Sequence, residues 1–301
     1  FNGLTIDKYW KNTGAYTVVK LDFSAVSDFS TAEEFELWFS QYLFDYLEVH
    51  KLQSPIKNTT DGFRLFSAWL RVQPANSLVL LIDEYDAPLT SSLDNPELFR
   101  KVQTHLSRLY SVIKECEGKL RFFLMTGITK FTNTGIFSVF NIIEDISLDP
   151  RYGTLLGYTE NEITSYFTPH VKEAAGVLGL STQEVMSKMR IWYDGFSFAE
   201  KAATHVYCPW SVLNFLKKPA RGFENYWYST GGKPKVLLKY LNGHSLGSID
   251  SFDRPTSVTK DDLSASREYN SISFNVLLTQ AGYLTIKSLL NSEEFEIGYP
   301  N

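Results

Sequence analysis

The sequence predicts an α/β protein in which a mainly parallel sheet is followed by a helical region and a terminal winged-helix-like unit. Three observations lead there. Strand-like and helix-like stretches alternate through the first half of the chain. One all-apolar run, Leu78 to Ile82, ends abruptly in Asp83 and Glu84, as expected of a parallel strand covered on both faces. After about residue 155 the pattern turns helical, and the chain closes as helix, turn and hairpin.

Tyr16 to Phe23 reads as the first strand. Ser30 with Glu33 then predicts a capping box, opening a helix in which Phe35, Trp38, Phe39, Tyr42, Leu43, Tyr46 and Leu47 recur at the 3.6-residue period. Leu78 to Ile82 is the next strand. Asp94 to Glu97 opens a second long helix, with Pro96 in its first turn and an apolar stripe of Phe99, Val102, Leu106, Leu109 and Ile113. Leu120 to Met125 returns as a strand, and Ile142 to Leu148 is expected as a further one. Alternation at this spacing implies right-handed crossovers and a mainly parallel sheet. Further on, Thr159 with Glu162 and Ser181 with Glu184 predict two more capping boxes, while Pro209 to Leu216 and Lys233 to Leu241 read as short helices. Ser271 to Ala281 predicts a helix, Gly282 a turn, and Tyr283 to Lys287 with Phe295 to Gly298 the arms of a hairpin. Helix followed by hairpin is how a winged-helix unit ends.

A chain of 301 residues can bury a large core and divides into two expected domains, 1–154 and 155–301. Hydrophobic residues make up 44% and charged residues 21%, the balance of a globular protein rather than a disordered one. A formal net charge of -5 argues against an extended basic surface that grips duplex DNA, and leaves a local basic patch open. The two cysteines, Cys116 and Cys208, lie far apart in no metal-ligand spacing and read as reduced packing residues. No apolar run approaches a membrane span of roughly 18 residues, and no signal peptide is visible. The expectation is a cytoplasmic protein with no membrane partner.

LVLLIDEYD, residues 78–86, carries the strongest chemical signal. Apolar residues followed by Asp-Glu at a strand end form the Walker B pattern. A buried parallel strand presents its last carboxylates at the carboxyl edge of the sheet, where open α/β folds bind ligands. Asp83 there is the candidate ligand of Mg²⁺, and Glu84 the candidate base for a water attacking a γ-phosphate. The plainer reading is that acids end many strands and cap the next segment. Thr126-Gly127-Ile128-Thr129-Lys130 follows the next strand. Thr126 would sit beside the Walker B edge as a γ-phosphate sensor, and Lys130 would add positive charge for the nucleotide. The plainer reading is a turn using the freedom of Gly127.

Other chemistries are less well supported. No G-x-x-x-x-G-K-[ST] occurs; Gly231-Gly232-Lys233-Pro234 lacks the first glycine and the terminal hydroxyl. The five histidines form no H-E-x-x-H, and no serine sits in G-x-S-x-G. Glu117-Gly118-Lys119 matches only the E-x-K half of a nuclease motif. Aromatic clusters at Trp192-Tyr193, Phe196 to Phe198 and Tyr226 to Tyr228 could stack on bases, but core packing accounts for them better.

Taken together, LIDEYDAPL (81–89), the stretch MTGITKFTNTGIFSVFNIIEDISLDPRYGTLLGYTENEI (125–163), WYDGFSF (192–198), VYCPWSVLNFL (206–216), FENYWYSTG (223–231), LLTQAGYLTIKS (277–288) and FEIGYPN (295–301) resemble the AAA-ATPase-like family of prokaryotic proteins. The resemblance implies a P-loop NTPase-like core in 1–154 and a helical lid with a winged-helix-like region in 155–301. It also implies a Mg²⁺-dependent module that binds and hydrolyses ATP as a switch. Members often carry a C-terminal PD-(D/E)XK nuclease domain. The family's Walker A loop would fall shortly before Phe1 and its nuclease domain after Asn301, so neither is credited to these residues. These residues alone are therefore expected to bind ATP poorly, and the strand leading into that loop is expected from upstream or from a partner. Two other functions stay open: a degenerate ATPase-like scaffold that binds a protein partner without hydrolysis, and nucleic-acid binding through the winged helix.

Overall fold

The computed structural model of the protein describes residues 5–9, 14–130, 143–227, 237–238, 256–264 and 273–301. Among these, residues up to Gly127 belong to one unit and those from Ile128 onward to a second.

The first unit begins with a short helix, α1 (Thr5–Tyr9), and strand β1 (Thr17–Asp22). Helix α2 (Ala32–Val49) follows, opened by a capping box one residue later than the sequence pattern suggests. Both Ser30/Glu33 and Thr31/Glu34 have the right spacing, and burial of Phe35, Phe39, Leu43 and Leu47 selects the second. The Glu34 carboxylate accepts from the amides of Ser30 and Thr31 at 2.7 and 3.3 Å. Next come α3 (Gly62–Arg71), β2 (Leu78–Asp83), α4 (Ala87–Ser91), α5 (Pro96–Glu115) and β3 (Leu120–Met125). Of the expected α5 stripe, Val102, Leu106, Leu109 and Ile113 are fully buried, whereas Phe99 is only partly buried and Leu98 faces the core in its place.

The three strands pair in the order β1-β2-β3, every pair parallel. One face, with Val19, Leu21, Leu78, Leu80 and Ile82, is buried. The opposite face leaves Val18, Phe122 and Leu124 exposed. At the outer edge of β1, Tyr42 and Tyr46 lie one turn apart on α2. Their hydroxyls accept from the amides of Asp22 at 2.8 Å and Lys20 at 2.9 Å. These N–H groups point away from β2, so α2 satisfies an edge that would otherwise recruit another strand.

The strand expected over Ile142 to Leu148 is not formed in its described part: residues 143–148 are irregular. Glu144 and Asp145 are drawn into ion pairs with Arg151 at 2.7 Å and Lys130 at 2.6 Å, and the backbone turns to make them. The second unit then proceeds through α6 (Glu160–Tyr166), α7 (Thr168–Leu178), α8 (Thr182–Tyr193) and α9 (Pro209–Lys217). Both expected capping boxes are present, Thr159 with Glu162 and Ser181 with Glu184. These helices close on Ile163, Val171, Ala174, Val185, Met189, Tyr193, Val212 and Phe215. Tyr193 packs in that core, its ring tilted against Phe215 at 5.8 Å, and Tyr226 is buried there as well. The aromatic clusters at 193 and 226 therefore serve packing.

Of the helix expected over Lys233 to Leu241, only 237–238 fall within the described residues, and they are helical. Strand β4 (Thr256–Thr259) and α10 (Lys260–Ser264) precede α11 (Phe274–Gln280), β5 (Thr285–Asn291) and β6 (Glu294–Gly298). The expected helix and hairpin are there, and β4 adds to the far side of β6 to make an antiparallel sheet, β4-β6-β5. Residues 271–272 of the expected helix lie outside the described residues. The chain's last residues fold back on the end of α8, where the Asn301 side-chain amide donates to the Trp192 carbonyl at 2.7 Å.

Gly195 makes that fold-back possible. Its φ is +110°, and a Cβ placed there would sit 1.9 Å from the Pro300 carbonyl oxygen. Gly195→Ala is expected to destabilise the second unit by about 2 kcal/mol or more. Urea unfolding followed by circular dichroism should show a lower midpoint with an unchanged slope.

Candidate functional site

Parallel pairing aligns the carboxyl ends of the three strands, and the sequence ends two of them in acids. Asp22 is the register partner of Asp83. Side chains alternate along a strand, so Asp22 and Asp83 share the open face with Lys20 and Leu81. Thr126 follows β3 directly; its amide donates to the Ile82 carbonyl at 2.9 Å, and its hydroxyl donates to Asp83 Oδ1 at 2.6 Å. The other carboxylate oxygen, Oδ2, lies 3.5 Å from Lys20 Nζ. Asp22 is turned the other way, its Oδ1 accepting from the Ser24 amide and hydroxyl at 3.0 and 2.6 Å.

Beyond Asp83 the backbone turns sharply. Glu84 has φ +52°, a left-handed conformation unfavourable for a residue with a Cβ. The turn is secured on its far side: the Tyr85 amide donates to the Thr126 carbonyl at 3.0 Å. Tyr85 and Asp86 are buried, 5% and 2% exposed. Gly127 packs directly on them; a Cβ there would lie 2.5 Å from both Asp86 Oδ1 and the Tyr85 ring. Burial first, and then the charges of Asp86, Asp83 and Asp22, push the Glu84 carboxyl above its ordinary range. A carboxyl so placed holds its proton more tightly than a solvated one, which suits a base that must accept a proton near neutral pH. Burial, with Asp86 adding to it, also raises the Tyr110 hydroxyl on α5.

Three of the four residues expected to act together are thus brought together: Asp83, Glu84 and Thr126. The fourth, Lys130, belongs to the second unit, where its ammonium lies 2.6 Å from Asp145 Oδ2. Burial alone would raise the Asp145 carboxyl, but the hydrogen bond and charge of Lys130, with Ser147, outweigh it and hold Asp145 low. Sequence reasoning missed Asp22 and Lys20. The available signal was that TVVKLD ends in an acid just as LVLLID does.

Among the described residues, no three His, Cys, Asp or Glu side chains converge as a metal cage. The donor set at Asp83 is instead one carboxylate, a hydroxyl and open solvent. That suits a hard, water-retaining cation such as Mg²⁺, usually held by one or two carboxylates and several waters. The Lys20 ammonium already stands beside Asp83 as a positive charge.

The model of a family described as predicted AAA-ATPases matches residues 1–137, the stretch that contains this edge. Residues 1–137 belong to the AAA-ATPase-like family. A protein of Azotobacter chroococcum mcd 1, described as "Uncharacterized protein in vnfD 5'region", is 34% identical over 227 residues. The alignment covers 74% of this chain and 40% of the relative, so the chain spans well under half of that protein's length. No solved structure matches the chain. Among the described residues, no helix is long and apolar enough to cross a membrane.

Two outcomes test this geometry. Gly127→Ala is expected to cost about 1–3 kcal/mol, because the buried Tyr85–Asp86 turn must shift to admit a methyl group. Glu84→Gln is expected to stabilise the fold. A carboxyl that binds its proton more tightly in the folded chain favours folding at low pH, and that contribution is lost as pH rises through the raised value. At pH 7 the amide removes the cost of ionising Glu84, so the melting temperature should rise by roughly 1–4 °C. The gain should shrink as pH falls through the raised value and be gone below about 4, near the ordinary glutamate value. Thermal melts of both proteins between pH 4 and 8 measure it.

Proposed function

We propose that this edge is the metal-binding and water-activating half of an ATPase site, and that the protein is a nucleotide-dependent switch. The observation that carries the proposal is the arrangement of Glu84: left-handed, half-buried, and next to an Asp83 whose two oxygens meet a hydroxyl and an ammonium. A turn needed only for folding would relieve both costs with Gly or Asn at position 84.

In this reading Asp83 holds Mg²⁺, directly or through water. When bound, Mg²⁺ supplies positive charge against the phosphate oxygens. Glu84 accepts the proton of the attacking water, aided by its raised affinity for that proton. Thr126 has a single hydroxyl proton, and it is donated to Asp83. Transfer of that hydrogen bond to a γ-phosphate would report the nucleotide's state back to the metal carboxylate. Lys130 remains our candidate for added positive charge, and its ammonium would have to leave Asp145 to provide it. The chain contains no G-x-x-x-x-G-K-[ST], so none of its residues is named for the cradle of backbone amides around the phosphates. We read the helix and hairpin from Ser273 to Gly298 as a winged-helix-like element that responds to the nucleotide. An ATP-driven switch whose two cysteines are free thiols fits the cytoplasm.

The test divides the labour between the acids in the full-length protein. Glu84→Gln should retain ATP binding and lose hydrolysis by roughly 100-fold or more, since the amide cannot take a proton. Asp83→Asn should weaken Mg²⁺-dependent binding. Calorimetric titration and phosphate release would measure the two. Equal hydrolysis by wild type and Glu84→Gln would assign the acids to structure alone and favour a scaffold role.

A further inference from the structure

We infer that Lys20 is the resident counter-cation of the acidic edge: it holds Asp83 while no divalent cation is bound and yields it, turning toward phosphate, once one is. The inference rests on the reading of Asp83 as the metal carboxylate.

The register places Lys20 opposite Leu81 and Asp22 opposite Asp83, so Lys20 stands one same-face step behind the acids. Its neighbours on that face include Val18, Leu81 and Leu124, among which an ammonium contributes little to packing. Forward of it lie the carboxylates of Asp22 and Asp83, with Glu84 and Asp86 in the turn beyond. Its Nζ reaches Asp83 Oδ2 at 3.5 Å, while the Lys20 side chain stays 61% exposed and that of Asp83 44%. An exposed pair at that distance is weak and readily exchanged. The base of the side chain is fixed, because the Tyr46 hydroxyl accepts from the Lys20 amide at 2.9 Å. Only the flexible four-carbon stem has to swing.

The ammonium and a divalent cation cannot both sit at Asp83 Oδ2, because like charges a few ångströms apart repel. Arrival of the metal therefore displaces the ammonium. Its nearest new counter-charge would then be the phosphate that comes with the metal. The exchange makes and breaks ion pairs only, and no covalent bond changes.

Mn²⁺ serves as the probe, its free concentration read by electron paramagnetic resonance without nucleotide. Lys20→Met keeps the stem and removes the charge. Its Mn²⁺ dissociation constant should fall roughly threefold to tenfold below wild type. In an Asp83→Asn background the same change should leave the residual affinity unaltered. With ATP and Mg²⁺ in the full-length protein, Lys20→Met should weaken ATP binding by a similar factor and Lys20→Arg should restore it. Equal Mn²⁺ affinity of wild type and Lys20→Met, or a loss of affinity in the variant, would overturn the inference while leaving the ATPase reading intact. Absence of Mn²⁺ uptake by wild type and variant alike would overturn the metal reading and the exchange with it. The Mn²⁺ measurement involves no hydrolysis, so an inactive Asp83–Glu84 pair would not obscure it. Matching thermal melts of Lys20→Met and wild type would verify that the variant is folded.

Discussion

Parallel strand pairing brings the carboxyl ends of β1, β2 and β3 side by side, and the chain places acids there. Asp22 and Asp83 are abreast, and Glu84 and Asp86 come within one turn of them. Carboxylates gathered in one place repel one another and lose water to their neighbours. Each local feature of the edge answers that problem. Thr126 and Lys20 take the two oxygens of Asp83, Ser24 takes an oxygen of Asp22, and Glu84 holds its proton more tightly. The surrounding framework keeps this end in place. Two tyrosine hydroxyls of α2 pin β1, and the buried Tyr85–Asp86 turn is wedged against Gly127.

Strain and desolvation at Glu84 distinguish the edge from an ordinary strand terminus. Left-handed backbone at a residue with a Cβ costs about 1 kcal/mol, and burial among like charges adds to it. Among the described residues, no hydrogen bond or ion pair of the Glu84 side chain offsets either cost. Costs of this kind persist where a side chain has work to do. Asp83 and Thr126 show the opposite character: their hydrogen bond is short, and it couples the ends of two adjacent strands. In the function we propose, the held carboxylate would take the metal and the proton-retaining one would take the proton of the attacking water.

The second unit uses its polar residues differently. Arg190 with Glu160 and Lys260 with Glu200 join parts of the chain remote in sequence, and Lys130 with Asp145 does so over a shorter span. Its rings pack on one another in the core, Phe223 stacking on both Tyr193 and Phe215. Within this unit Gly195, the Asn301 amide and the Lys287 ammonium, 3.3 Å from the Pro300 carbonyl, fasten the terminal residues to the end of α8.

Local patterns in the sequence were enough to place β1, β2 and β3, the capping boxes at Thr159 and Ser181, and the closing helix and hairpin. Apolar periodicity, cap spacing and turn residues are properties of a few consecutive side chains, so they survive in one dimension. The same logic singled out Asp83 and Glu84, because an all-apolar run that stops at two acids needs no tertiary information to be seen. It misplaced the α2 cap, where two spacings competed and burial chose between them. It also expected a strand near residue 145, where ion pairs to Lys130 and Arg151 bend the chain instead. Tertiary structure alone decided that Asp22 stands beside Asp83, that Lys20 reaches its carboxylate, and that Lys130 pairs with Asp145. The register of parallel strands is set by the crossovers and the packing between them, and the partner of a long flexible ammonium by what that packing brings within its reach.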